Sequence, residues 1–399
     1  MAVGYRPSQV AFAGEDYAYV VTEDGISQID LSSQPPVTSS LFPLTASTTL
    51  TQSEGTDAEI IDATSPGPAD GSTDAGGALQ GDGAPSDAAH PAMGGDAESV
   101  LVLPPEDEDG GSATTPDVSF TPDGNYALIR QDGLAFITVV SFATGALTAV
   151  PLPSAPTDLD LSPTGDFAVA VLRDTSTVAV LPIPGVVTNP SSVTMISIGN
   201  EVVGRGIVTP DGKSVLLFTT VTTVPDSQDL TVLTLSPPSI RTIALHESVL
   251  AVFPTPDSKN AVVLHDVTPT AGVLGAYSLV PIASNLPVQL VSTPAEPTAV
   301  AISPESDRVV IALRDDPTQT YALDLGLFPS LQYIRQALAS PPTAAGIVAG
   351  AGQGYAAQSY DEGRITFVEL YPPDGGTPGQ ALTITGFDLG ARIVDGRDE

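Results

Sequence analysis

Apolar and polar positions along this chain alternate in short runs, with a period near two rather than the 3.6 of a helix. A recurring unit stands out: an apolar strand, a Pro/Gly/Asp turn, a second apolar strand, a short polar turn, then a third alternating strand. "VSFTPDGNYALIRQDGLAFITVV" begins at Val118 and "LDLSPTGDFAVAVLRDTSTVAVL" at Leu159. "GIVTPDGKSVLLFTT" begins at Gly206, "AVFPTPDSKNAVVLHDV" at Ala251 and "AVAISPESDRVVIALRDDPTQTYALDL" at Ala299. Looser copies begin at Gln9 and Ala345. Prolines 122, 163, 210, 256 and 304 set the turns roughly 41–48 residues apart, a period that points to propeller blades or a similar array.

The chemistry of the unit explains the pattern. Proline fixes φ, Asp caps its own backbone, and Gly tolerates φ > 0, so Pro-Asp-Gly closes a tight hairpin. The following strand, such as Phe167–Leu172, is apolar at both parities, so both of its faces must be covered. Stacked four-stranded blades do this. The third strand alternates more and is expected nearer the rim; the fourth is expected in stretches such as "TVLTLSPPSIRTIAL". With 38 Pro and 37 Gly, long helices are not expected. The reading is all-β: a seven-bladed β-propeller of four-stranded antiparallel blades.

One interruption breaks the period. Residues 51–116 hold about 14 carboxylates and no Lys or Arg, amid Gly, Ala, Ser and Pro. Such a segment buries too little apolar surface to offset its ordering entropy and reads as a long disordered acidic insertion. The chain thus divides into a first blade (1–50), the insertion (51–116), and six blades with a closing segment (117–399). "SVLVLPP" near Val100 is expected to add one short strand. The C-terminal "LTITGFDLGARIVDG" repeats "ISIGNEVVGRGIVTPDG" from Ile196, so Ala391–Val394 is expected to supply a closing strand near the first blade.

Charge narrows the partners. A net charge of −34 with only 13 Lys+Arg repels nucleic acid and anionic membrane surfaces. No apolar run is long enough to cross a bilayer. Zero cysteines exclude disulfides and thiolate chemistry. The opening "MAVGYRPSQV" carries no export signal, which fits an export segment removed before this numbering.

The unit "LSPTGDFAVAVLRDTSTVAVLPI", Leu161 to Ile183, resembles the bacterial YVTN-type β-propeller repeat, a WD40-like unit in which an "SPDG" turn precedes a Tyr-Val-rich strand and an "NTVSVID"-like third strand. The units around Ser119, Ser162, Thr209 and Ser303 match best. The resemblance implies an extracellular, cell-surface or periplasmic bacterial protein, similar in fold to lactonase-type enzymes and WD40 scaffolds.

Candidate chemistry gathers where second strands end. There stand Arg130 with Asp132, Arg173 with Asp174, His265 with Asp266, Arg314 with Asp315, and Asp361. In a propeller these positions would ring one mouth of the channel, where arginine forks suit carboxylates or phosphates. The same residues can instead pair among themselves and satisfy strand ends. Enzymatic motifs are thin: the three histidines, His90, His246 and His265, show no metal spacing, and no catalytic residue is assigned. "EDEDGGSATTPD", Glu106 to Asp117, packs oxygens closely but lacks the order of an EF-hand loop. A solvated tract is preferred there, and calcium is the one cofactor the sequence suggests. The expected function is a non-catalytic, monomeric scaffold binding a protein, peptide or glycan. A lactonase-like hydrolase and a structural module of a surface assembly are the alternatives.

Overall fold

The computed structural model describes residues 7–13, 17–22, 25–34, 36–42, 100–101, 117–199, 201–220, 228–348, 350–372 and 378–386. The expected disorder of the insertion, the calcium tract Glu106 to Asp117 except its last residue, and the closing strand Ala391–Val394 lie outside them.

Seven antiparallel sheets follow one another, each a four-stranded meander hydrogen-bonded in sequence order. The blades span 7–42, 117–151, 158–197, 205–244, 248–293, 296–337 and 342–385. The fold is a seven-bladed β-propeller. Its sixth blade carries a fifth strand, Val100–Leu101, paired to the inner strand Glu296–Ile302 at Val300 and Ala299. The short strand expected in the insertion therefore belongs to a distant blade's edge.

The third blade illustrates the build. Asp158–Leu161 pairs with Phe167–Leu172, which pairs with Thr177–Pro182, which pairs with Thr194–Ser197. In the second strand Ala168 to Leu172 are all buried, so both parities pack. One parity, Ala168, Ala170 and Leu172, meets Leu128, Ile137 and Val139 of the second blade. The other, Val169 and Val171, meets Val208, Val215 and Leu217 of the fourth. Each such Val or Leu contributes about 1.5–3 kcal/mol of transfer free energy.

The third strand of the seventh blade, Arg364–Glu369, alternates as expected, but those of the second and fifth blades do not. Gly275–Pro281 is buried throughout, and Ile137 to Ser141 likewise. Only the fourth strands, such as Pro238–Ala244, behave as a wet rim. The reason is geometric: in a four-stranded blade the third strand still lies between neighbouring sheets, so its alternating Thr and Ser are buried with the rest.

The hairpin turns share one device. Thr121, Ser162, Thr209, Thr255 and Ser303 open them, and all five are buried. In the third blade Ser162 Oγ donates to Asp166 Oδ1 (2.7 Å) and accepts from Phe167 N–H (3.2 Å). Gly165, at φ +72°, donates its N–H to Ser162 O (2.9 Å). A Cβ on Gly165 would stand 2.6 Å from Pro122 Cδ of the preceding turn, so close approach as well as φ demands glycine there.

Candidate functional site

Second strands end and third strands begin on one face of the propeller, and the charged residues picked out in the sequence stand at or near these strand ends. Arg130 closes the second strand of its blade with its side chain 14% exposed. Its Nη1 donates to Asp132 Oδ1 (2.6 Å), and its Nε reaches Asp117 Oδ2 (3.4 Å) on the paired inner strand. Burial works against the charge, but Asp117, Asp132 and Asp158 outweigh it and hold the guanidinium above its ordinary pKa. Arg314 makes a fork with Asp316, Nε at 3.0 Å and Nη2 at 2.7 Å. That bond raises the Arg314 pKa and lowers that of Asp316. Asp315 turns away and caps Thr318, accepting its N–H at 3.1 Å and also its hydroxyl.

Arg173 and Asp174 begin a single 3-10 turn that ends at Ser176, φ +46°. Asp266 stands exposed at the end of Asn260–Asp266, and Asp361 with Glu362 is exposed in the turn before Arg364–Glu369. Beside that turn, Arg364 lies over the exposed Tyr360 ring at 3.7 Å and donates through Nη1 to Ser340 Oγ (3.0 Å).

His265 is elsewhere. Only 3% exposed, it lies within the fifth blade between Ser248 O (3.1 Å from Nδ1) and Ser278 Oγ (2.7 Å from Nε2). A carbonyl can only accept, so Nδ1 carries the proton and Nε2 accepts the Ser278 hydroxyl. Burial pushes its pKa down to about 4, and the ring is a neutral internal bridge. His265 therefore does not share the mouth with the arginines.

Two carboxylate arrangements emerge only from the structure. On the inner strand of the third blade, Asp158 Oδ2 and Asp160 Oδ2 accept the N–H groups of Gly206 and Val208, each at 2.7 Å, on the inner strand of the fourth. Side-chain oxygens here stand in for a neighbouring strand's carbonyls. A signal for them exists in "DLDL": two carboxylates two apart on an inner strand need N–H partners on one face. In the sixth blade Asp324, fully buried, is gripped by Arg335 through Nε and Nη2, both at 2.7 Å. Tyr277 of the fifth blade adds its hydroxyl to Asp324 Oδ2 (3.1 Å). Its carboxylate is saturated, so this cluster holds blades together.

At these strand ends and the turns that follow, carboxylates outnumber bases. Asp132, Asp174, Asp266, Asp315, Asp316, Asp361 and Glu362 outnumber Arg130, Arg173, Arg314 and Arg364. Arg130 and Arg314 are already closed by acids of their own blades. Among the described residues no group of three or more His, Asp or Glu is placed to hold a metal ion, and no helix is long and apolar enough to cross a membrane.

By architecture this is a seven-bladed β-propeller, with hydrogen bonds between successive hairpin turns joining the fourth blade to the fifth and the fifth to the sixth. Solved structures similar to it include hydrazine synthase of Kuenenia stuttgartiensis (16% identity, 66% of this chain and 80% of that one, TM-score 0.42). Another is the β-propeller domain of Cps50 (Swd1) from Myceliophteria thermophila (9% identity, 71% and 88%, TM-score 0.40). A chain of a mitotic checkpoint complex is also similar (12% identity, 70% and 85%, TM-score 0.40). No family model and no curated protein matches the sequence.

Proposed function

We propose that the chain is a non-catalytic scaffold of the YVTN repeat type, from an exported bacterial protein, whose mouth binds a protein or peptide partner bearing Lys and Arg. One observation carries this reading: the forks of Arg130 and Arg314 are occupied by Asp132 and Asp316, while Asp266, Asp361 and Glu362 stand exposed. A face arranged so offers carboxylates to a visitor rather than guanidinium forks. Complementary charge would set approach rate and choice of partner more than bulk affinity. A location outside the cytoplasm belongs to the same proposal and rests on the repeat resemblance.

The test compares capture of soluble peptides of three kinds, basic, neutral and acidic, by immobilised full chain. Preferential capture of the basic peptide, weakening steeply as salt rises, supports the reading. Equal capture of all three, or preference for the acidic one, overturns it.

A further inference from the structure

The channel side of the sixth blade is already in use. Its inner strand Glu296–Ile302 carries Val100–Leu101 antiparallel, Val100 opposite Val300 and Leu101 opposite Ala299. Among the described residues no other inner strand has a partner on that side. The added pairing is also the shortest: strands within a blade pair over at least four residues, and this one over two. It makes few main-chain bonds, and among the described residues Glu296 to Thr298, Ala301 and Ile302 have no partner on the channel side. An edge covered only in part still offers N–H and C=O groups to an extended chain.

The side chains around this edge explain why it takes a further strand. Val100–Leu101 lies beside the inner strand of the seventh blade, Pro342–Val348, as well as beside Glu296–Ile302. Both inner strands are small there: Ala299 and Ala301 on the sixth blade, Ala344, Ala345 and Gly346 on the seventh. A third backbone can then approach both. The matching stretch of the fifth blade, Leu250 to Phe253, is bulkier. At the start of the edge Glu296 is exposed. It stands in register with Arg314, whose fork is taken by Asp316, so the Glu296 carboxylate is open to a base from outside.

We propose that the channel-side edge of Glu296–Ile302 is a strand-acceptor site for an extended partner peptide, with Val100–Leu101 as the chain's own displaceable occupant. The peptide is apolar where it pairs with Ala299 and Val300 and basic where it meets Glu296. Its basic end rests on the function proposed above; the acceptor edge does not. Main-chain bonds supply affinity, the small-walled margin selects an extended apolar stretch, and Glu296 sets the direction in which it lies. The resident pair competes at the effective concentration of a tethered segment, but over two residues only. A partner pairing along the full edge displaces it.

The test uses the full chain and the peptide Ser-Val-Leu-Val-Leu-Lys-Lys, which copies Ser99–Leu103 and puts Lys opposite Glu296 in the register of Val100 with Val300. The protein has no cysteine, so Leu101→Cys with Ala299→Cys, and separately Val100→Cys with Val300→Cys, can lock the resident strand. Adjacent pairs of an antiparallel ladder alternate between close and wide, so one of the two suits a disulfide. Peptide binding is expected to be about ten-fold or more weaker in the oxidised variant than in the same variant reduced. It should also be lost in one of two peptides N-methylated at alternate amides. Failure of both pairs to oxidise, no binding at all, or binding that ignores both the lock and the methylation overturns the proposal. If binding obeys both but a Glu-Glu tail serves as well as Lys-Lys, the acceptor edge stands and the basic-partner reading falls. Preference for Lys-Lys that survives the lock and the methylation does the reverse.

Discussion

Tyr277 and Asp324 meet across the junction of the fifth and sixth blades, the phenol hydroxyl donating to Oδ2 at 3.1 Å with both side chains withdrawn from solvent. Burial, and then the neighbouring carboxylate, push the Tyr277 pKa far up, so the phenol stays protonated and remains a donor. Arg335 closes the other side of Asp324 as a bidentate fork. The arrangement neutralises a carboxylate that could not otherwise be buried at tolerable cost.

Removing Arg335 should therefore be severe. Arg335→Ala leaves Asp324 as an uncompensated buried charge and is expected to cost about 3–5 kcal/mol in chemical denaturation. Arg314→Ala opens an exposed pair and should leave the unfolding midpoint essentially unmoved. Equal effects of the two substitutions would contradict this division of roles.

His265 sets a pH dependence. Its folded pKa lies near 4 against 6.5 for the free side chain, so below the free value the unfolded chain takes up a proton that the fold refuses. Its contribution is present above pH 6.5 and lost as pH falls through about 4, at most about 3 kcal/mol. Melting temperatures measured across this window should fall for the wild type and flatten for His265→Gln. Parallel profiles would remove His265 as the cause.

The ring of hairpin turns offers a finer test. Ser258 and Ser306 occupy turn positions with φ +58° and +64°, where the second, third and fourth blades have Gly124, Gly165 and Gly212. Their hydroxyls accept the N–H groups of Asp211 and Asp257 in the preceding turns, each at 2.9 Å. Ser258→Ala keeps the strained backbone and loses the bond, and should cost about 1 kcal/mol or more. Ser258→Gly loses the same bond but relieves the strain, and should melt above the alanine variant. The reverse order would contradict the strain at Ser258, and an unchanged melting temperature for Ser258→Ala would show that the inter-turn bond is idle.

Gly165 tests blade spacing. Alanine there places a methyl 2.6 Å from Pro122 Cδ at φ +72°, with a cost of about 2 kcal/mol or more expected in denaturant melts. A neutral result would mean that the second and third blades are free to shift apart.

Much of the fold is legible in the sequence because its turns are built from residues with few conformational options. Pro163–Thr164–Gly165 announces a hairpin wherever it stands, and Phe167 to Leu172, apolar at both parities, announces two covered faces. Rim strands such as Thr194–Ser197 are faint, because solvent on the rim relaxes the demand for apolar residues. The mouth is less legible, and strand parity explains why. Arg130, Arg173 and Arg314 stand an even number of residues beyond prolines 122, 163 and 304, but His265 stands an odd number beyond Pro256. Alternate residues of a strand point to opposite faces. A base at the end of a second strand is therefore not enough to place it at the mouth. Nor could sequence alone decide that Arg314 would choose Asp316 over Asp315, since both lie within reach of one flexible side chain.

The most direct measurement of the mouth's role is titration of a Lys/Arg-rich peptide into the wild-type chain and into a triple variant carrying Asp266→Asn, Asp361→Asn and Glu362→Gln. Since the insertion is itself acidic, the same pair is also compared with residues 51–99 replaced by a short neutral linker. Peptide affinity about ten-fold or more weaker in the triple variant, with or without the insertion and with the melting temperature retained, is the predicted result. Binding that survives the triple substitution, or that disappears when the insertion alone is replaced, would contradict it.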